Sequence, residues 1–313
     1  MKIALPGNVR AELEGRLPAD VTASWYASGD EAPSTVEGVE VAWVDVLGRP
    51  GVGVVIEAAR DAKWITTTFA GVNSWPLAAI KERGLVLTNG AGINAVPVAE
   101  FAVMGVLAMA KNLPALIRGQ DRREWPRQAP GVTELYDSRA IILGYGHIGR
   151  EIGKRLEGFG VKVTGVRRTP SDDPNVIGPD AWRARLGEYD WIVLAAAATG
   201  ETARMIGVAE LAAMKPSAVI VNIARGSLID QAALIAAAGQ GRIAGAFLDV
   251  SDPEPPSTED PIWSARNIVF TCHCSGRAQT RMPQRAAALF LDNLERYRSG
   301  RPLLNRVDLD LGY

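Results

Sequence analysis

Two cysteines and two histidines are all that 313 residues hold of the side chains that most often bind transition metals, and that scarcity closes several routes at once. Cys272 and Cys274 stand one residue apart, which suits a disulfide poorly. Structural zinc usually needs four ligands with two to four residues between paired cysteines, whereas here one histidine, His273, lies between the cysteines and the other, His147, sits in a glycine loop. No metal site is expected, and a reducing compartment fits the thiols most simply. An excess of one charge is also missing: Lys+Arg 34 against Asp+Glu 35 leaves −1, so no whole-molecule field draws nucleic acid or a membrane surface. The longest apolar stretch, around residues 96–110, contains Glu100 and is too short to span a bilayer. Met1-Lys2-Ile3-Ala4-Leu5-Pro6-Gly7 reads as a strand entering a turn rather than as a signal peptide, and the expectation is a cytoplasmic protein.

What is present is a dinucleotide signature. In Ile141-Ile142-Leu143-Gly144-Tyr145-Gly146-His147-Ile148-Gly149-Arg150, an apolar strand runs into G-x-G-x-x-G and opens a helix. Gly144 allows the tight turn, Gly146 removes the side chain where a pyrophosphate approaches the backbone, and Gly149 lets helix and sheet pack closely. The N–H groups and dipole at the helix start favour an anion. About 20 residues on, an acidic residue would hold a ribose 2′-hydroxyl. Here the strand 161–166 is followed by Arg167, Arg168 and Thr169, with no carboxylate before Asp172. Guanidinium forks match phosphate oxygens, so NADP(H) is preferred with NAD(H) possible; a basic solvated turn is the competing reading.

Apolar content of 47% with 22% charge describes a globular chain, and 313 residues accommodate two domains. Strand-like segments at 2–5, 40–44, 64–67 and 85–88 alternate with helical stretches at 52–60 and 77–83, predicting a small parallel sheet. A long helix is expected from Pro97 to about Leu113, where Pro114 ends or disturbs it. Six further strands, at 140–143, 161–166, 191–194, 218–222, 244–248 and 267–271, fit a doubly wound Rossmann plan. Helical residues 281–298 then precede a tail. The expected division is a discontinuous, flavodoxin-like α/β substrate domain (1–96 and 281–313) around an NAD(P)-binding Rossmann domain (97–280).

Three further motifs follow in order: Asn222-Ile223-Ala224-Arg225-Gly226-Ser227-Leu228-Ile229-Asp230; Ala246-Phe247-Leu248-Asp249-Val250 leading to Glu254-Pro255-Pro256; and His273 after the last strand. In these the chain resembles the D-isomer-specific 2-hydroxyacid dehydrogenases, and within them NADP-preferring proteins of the glyoxylate/hydroxypyruvate reductase kind. The resemblance implies hydride transfer between NADP(H) and a small 2-oxo or D-2-hydroxy acid, with Arg225, Glu254 and His273 as the catalytic trio. The side chains suit those roles: Arg pairs with a carboxylate and polarises the ketone, His donates the proton, and Glu supports the charged imidazole.

The cofactor set then comprises Gly144, Tyr145, Gly146, His147, Ile148, Gly149, Arg167, Arg168, Thr169, Ala196, Ile223, Ala224, Arg225, Asp249, His273 and Ser275. Phe69-Ala70-Gly71-Val72-Asn73 resembles the family's substrate loop, which would place Ala70 and Gly71, with Arg225 and His273, against the substrate, and Val98 with Glu100 near the cofactor. Three departures stand out: Cys272 where the family usually has Pro, Arg277 among residues that are usually small and uncharged, and four alanines at 195–198 in place of a Pro-containing loop.

A homodimer is implied through the bridging helix and the arm Arg122-Arg123-Glu124-Trp125-Pro126, in which Trp125 is either an anchor or a locally packed ring. Trp43, Phe69 and Trp75 are either walls of a pocket for acids larger than glyoxylate or core aromatics. Alternatives to the reductase are an NAD(P)-sensing, corepressor-like binding protein and a phosphite-type dehydrogenase, the latter needing a strongly basic pocket where only Arg277 and Arg281 are at hand.

Overall fold

The computed structural model describes residues 1–46, 51–72, 74–169 and 171–312. The chain folds into two compact units, Met1–Asn94 with Gln279–Tyr313, and Ala95–Ala278.

The first unit is a five-stranded parallel sheet of β1 (Lys2–Pro6), β2 (Thr22–Tyr26), β3 (Val41–Trp43), β4 (Trp64–Thr66) and β5 (Val86–Thr88), in the order β2-β1-β3-β4-β5. That is the flavodoxin-like order. Its helices are α1 (Arg10–Leu13), α2 (Ala32–Thr35), α3 (Val52–Ala58) and α4 (Leu77–Glu82). Successive residues of a strand face opposite sides, and both sides are apolar here, as a covered parallel sheet requires. Ala4, Ala42, Ile65 and Leu87 enter one core; Ile3, Leu5, Val41, Trp43 and Trp64 enter the other.

The second unit carries α5 (Ala95–Ala110), α6 (Leu113–Asp121), β6 (Arg139–Leu143), α7 (His147–Glu157), β7 (Lys162–Val166), β8 (Val176–Ile177), β9 (Trp191–Leu194), α8 (Val208–Ala213), β10 (Val219–Asn222), α9 (Gln231–Gly239), β11 (Gly245–Leu248) and β12 (Ile268–Phe270). Its seven strands are all parallel in the order β12-β11-β10-β9-β6-β7-β8. Counted within the unit this is the doubly wound 3-2-1-4-5-6 order with one strand added at the far edge. Ile141, Leu143, Ile192, Leu194 and Ile220 face one core, and Ala140, Ile142, Val193, Val221 and Phe247 the other. The order reverses between β6 and β9, and the carboxyl ends there form the crevice such sheets use for ligands.

The helix α10 (Met282–Arg298) belongs to the first unit, where Phe290 lies 4.9 Å from the Trp43 ring and 5.6 Å from the Trp64 ring. Several expectations need correction. The helix expected to run to Leu113 stops at Ala110, Asn112 turns left-handed (φ 47°), and Pro114 sits in the first turn of α6, where a missing N–H costs no helix bond. Trp43 and Trp75 are buried core residues, the core alternative of the two readings, and Phe69 is partly buried against the same unit's core. Val98 is likewise buried, while the exposed Glu100 side chain lies beside Arg155 of α7 at 3.9 Å. No single helix among the described residues is long and apolar enough to cross a membrane.

Candidate active site

At the switch point, Gly144 has φ +101°, and a Cβ there would run into the backbone of Ala195 and Ala196. A Cβ on Gly149 would strike the carbonyl oxygen of Gly144. Gly146 differs: a Cβ on it would meet nothing within 4 Å, so its missing side chain leaves open space at the amino end of α7. That open, N–H-lined turn fits a dinucleotide pyrophosphate. The Tyr145 ring is turned inward, where a Cβ on Gly165 of β7 would overlap it and one on Gly153 of α7 would lie 2.7 Å from its hydroxyl. Burial, then the nearby Glu157 charge, holds its phenol above the usual tyrosine range. The Tyr145 N–H donates to Val166 O at 2.8 Å, so the residue ties the glycine turn to the end of β7.

Arg167 and Arg168 leave the carboxyl end of β7, with the Arg167 N–H donating to Ile177 O of the edge strand β8 at 3.2 Å. The Arg168 guanidinium lies 4.0 Å from Glu201, both side chains being more than half exposed. This carboxylate arrives from the loop beyond β9 and was invisible in the linear spacing after β7.

Arg225 is held by a residue to which the sequence motifs give no role. Asn222, buried at the end of β10, accepts from Ala224 N–H (3.0 Å) and donates through Nδ2 to Arg225 O (2.9 Å). The amide thus closes the loop on itself, and the Arg225 guanidinium donates to Ala224 O at 2.7 Å. A Cβ on Gly226 would collide with the Ser251 carbonyl, so the Arg225 loop lies directly on the chain leading to Glu254.

Glu254 meets His273: Nδ1 of the imidazole is hydrogen-bonded to Oε1. The two residues lie on the loops after β11 and β12, neighbours in the sheet. Asp249, fully buried, anchors the second loop. Its Oδ1 accepts from Thr271 Oγ1 (2.8 Å) and Cys274 N–H (2.7 Å), its Oδ2 from Ser275 N–H (3.0 Å), and its carbonyl from His273 N–H (2.5 Å). Both carboxylate oxygens are thereby engaged by the 271–275 turn, and Ser275 is itself buried. Within the turn Cys272 (φ 55°) and His273 (φ 53°) are both left-handed. Non-glycine residues resist that region by about 1–2 kcal/mol each. Proline, locked near φ −65°, could not adopt this conformation at 272.

In the first unit, Ala70 and Gly71 are exposed on the loop after β4, with Asn89 Nδ2 donating to Ala70 O at 2.8 Å. Asn73 lies outside the described residues. Asp45 organises the start of this loop: its carboxylate accepts from Thr67 Oγ1 (2.7 Å), Thr68 N–H (2.8 Å), Thr68 Oγ1 (2.5 Å) and Trp43 Nε1 (2.9 Å). No motif pointed to Asp45.

A Rossmann sheet with an open glycine turn at its switch point and a His–Glu pair at its carboxyl edge defines a dinucleotide-binding protein equipped for proton transfer. Residues 103–275 match the family described as D-isomer specific 2-hydroxyacid dehydrogenase, NAD binding domain. A D-3-phosphoglycerate dehydrogenase of Methanocaldococcus jannaschii is 33% identical over 237 residues, 74% of this chain and 45% of that protein. A glyoxylate reductase of Thermococcus gammatolerans is 31% identical over 271 residues, 83% of this chain and 80% of that protein. The chain spans about half the length of the archaeal D-3-phosphoglycerate dehydrogenases it matches. The crystal structure of a D-isomer specific 2-hydroxyacid dehydrogenase from Xanthobacter autotrophicus Py2, in complex with NADPH and MES, superposes with a TM-score of 0.80 at 26% identity, covering 100% of this chain and 99% of that one. The chain belongs to the D-isomer-specific 2-hydroxyacid dehydrogenase family.

Proposed function

We propose that the chain is an NADP-preferring reductase of small 2-oxo acids, reversibly a D-2-hydroxy acid dehydrogenase. The observation that carries this reading is the bond from His273 Nδ1 to Glu254, next to the Arg225 loop at the carboxyl edge of the sheet. When bound, the nicotinamide supplies the hydride that reaches the substrate's second carbon. Glu254 occupies Nδ1, so Nε2 of His273 is the nitrogen that delivers a proton to the developing alkoxide. Arg225 pairs with the substrate carboxylate and polarises the ketone.

Arg167, Arg168 and Thr169 hold the 2′-phosphate, and the turn 144–149 with Ala196, Ile223 and Ala224 forms the rest of the cofactor site, while the buried Asp249 and Ser275, bonded to each other, shape the His273 turn instead. The NADPH-bound relative supports that preference. The protein works as a cytoplasmic homodimer, which the two free thiols and the exposed apolar surface of Leu116, Ile117 and Trp125 (93% exposed) support.

A panel of 2-oxo acids assayed with NADPH and NADH tests the activity. Turnover of at least one acid, with lower KM for NADPH, is expected, and His273→Ala should lose turnover while still binding NADPH. A protein that binds NADPH yet reduces none of them would end the enzymatic reading in favour of a nucleotide-sensing one. Light scattering at micromolar concentration tests the dimer, and a monomer there would remove it.

A further inference from the structure

Arg277 makes contacts that no family motif explains. Its Nε donates to the carbonyl oxygen of His273 at 3.0 Å, its Nη2 donates to the carbonyl oxygen of Cys272 at 2.8 Å, and the same nitrogen lies 3.8 Å from Cys274 Sγ. The two carbonyls belong to the two consecutive left-handed residues of the turn. Left to itself, a Cys-His pair would leave that region, because each Cβ crowds its own backbone there. The turn is therefore held from two sides: the Asp249 carboxylate gathers its N–H groups, and the Arg277 guanidinium gathers its carbonyls. A planar fork can span two adjacent carbonyls at once, which an ammonium on a flexible stem does poorly.

We propose that Arg277 is a positioning residue for His273: by bridging the carbonyls of Cys272 and His273 it keeps the turn left-handed and so keeps Nδ1 of the imidazole on Glu254. It acts through the backbone and needs no contact with substrate. The proposal rests on the reading of His273 as the proton donor only where its effect on rate is concerned.

The test compares Arg277→Ala, Arg277→Lys and the double variant Arg277→Ala with Cys272→Gly against the wild type. Glycine enters the left-handed region without strain, so it should restore part of what the lost guanidinium removes. Expected for Arg277→Ala is a tenfold or larger fall in kcat, with KM for the 2-oxo acid and NADPH affinity within twofold. Arg277→Lys should recover a minor part and the added Cys272→Gly several-fold more.

The chain has two histidines, so the imidazole resonances of His273 are identified by comparison with a His147→Gln variant. Those resonances should move in Arg277→Ala and return toward the wild-type position in the double variant. If the wild type reduces no 2-oxo acid but Arg277→Ala still displaces them, the functional reading fails and the positioning role stands. A rise confined to KM with unmoved resonances would make Arg277 a substrate contact and overturn the proposal. Unchanged kcat and resonances would also overturn it. NADPH affinity and thermal midpoint of each variant report folding, and Arg277→Lys carries the comparison if Arg277→Ala proves unstable.

Discussion

Nδ1 of His273 is hydrogen-bonded to the carboxylate of Glu254, and that contact decides which imidazole nitrogen is left to act. A carboxylate on one imidazole nitrogen fixes the ring's orientation and leaves the other nitrogen to act. Glu254→Gln keeps an acceptor of nearly the same shape but removes the charge. In the reduction direction kcat/KM should fall about tenfold or more, a loss near 1.4 kcal/mol. Steady-state kinetics within twofold of wild type would mean that the two side chains do not interact in solution.

Asn222 is buried, and its amide serves both the Ala224 N–H and the Arg225 carbonyl. In Asn222→Ala two backbone groups lose their partners, a cost of about 1–3 kcal/mol for each group that stays buried. The Arg225 loop should loosen, with kcat/KM falling about tenfold or more, as a loss near 1.4 kcal/mol implies. Asn222→Asp keeps the acceptor but forfeits the donor and buries a charge, so it should do no better. Steady-state kinetics within twofold of wild type for Asn222→Ala would show that the loop holds its shape unaided.

Glu201 faces Arg168 at 4.0 Å where the 2′-phosphate is proposed to sit. Exposed pairs of this kind contribute about 0–1 kcal/mol, so a phosphate carrying more charge displaces the carboxylate easily. Glu201→Gln should tighten NADPH about two- to fivefold and leave NADH nearly unchanged, since the pair is worth no more than about 1 kcal/mol. Arg168→Ala should weaken NADPH alone. Titrations in which the two cofactors move together in either variant would remove the phosphate clamp.

The strands of both sheets were legible because apolar residues run continuously where both faces are covered. Thr22–Tyr26 was not, since it is an edge strand whose Thr22 and Ser24 are exposed and read as polar turn. The two-residue β8 carries no periodicity at all. Around the site, Arg225, Glu254 and His273 stand in linear motifs at strand ends and could be named in advance. Asp45 and Glu201 could not, because Thr67 and Thr68 on the one and Arg168 on the other lie 22 to 33 residues away and meet them only in the folded chain. Arg277 lies four residues from His273, yet its purpose depends on two left-handed φ angles that composition does not announce.

Trp43 bears on substrate choice by what it does not do. Its ring is 2% exposed, lies 4.9 Å from Phe290, and its Nε1 donates to Asp45 at 2.9 Å. Removing so large a buried ring costs about 3–5 kcal/mol, whereas Trp43→Phe keeps most of the packing and loses chiefly one hydrogen bond to a charged group, about 1.5–3 kcal/mol. Urea unfolding should rank wild type above Trp43→Phe above Trp43→Ala, with the order of preferred 2-oxo acids the same in every variant that folds. Preference for acids larger than glyoxylate would then come from other side chains, because discrimination rests on contacts that differ between substrates in the transition state. A Trp43→Ala protein as stable as wild type, with its substrate order rearranged, would put the ring back in the pocket.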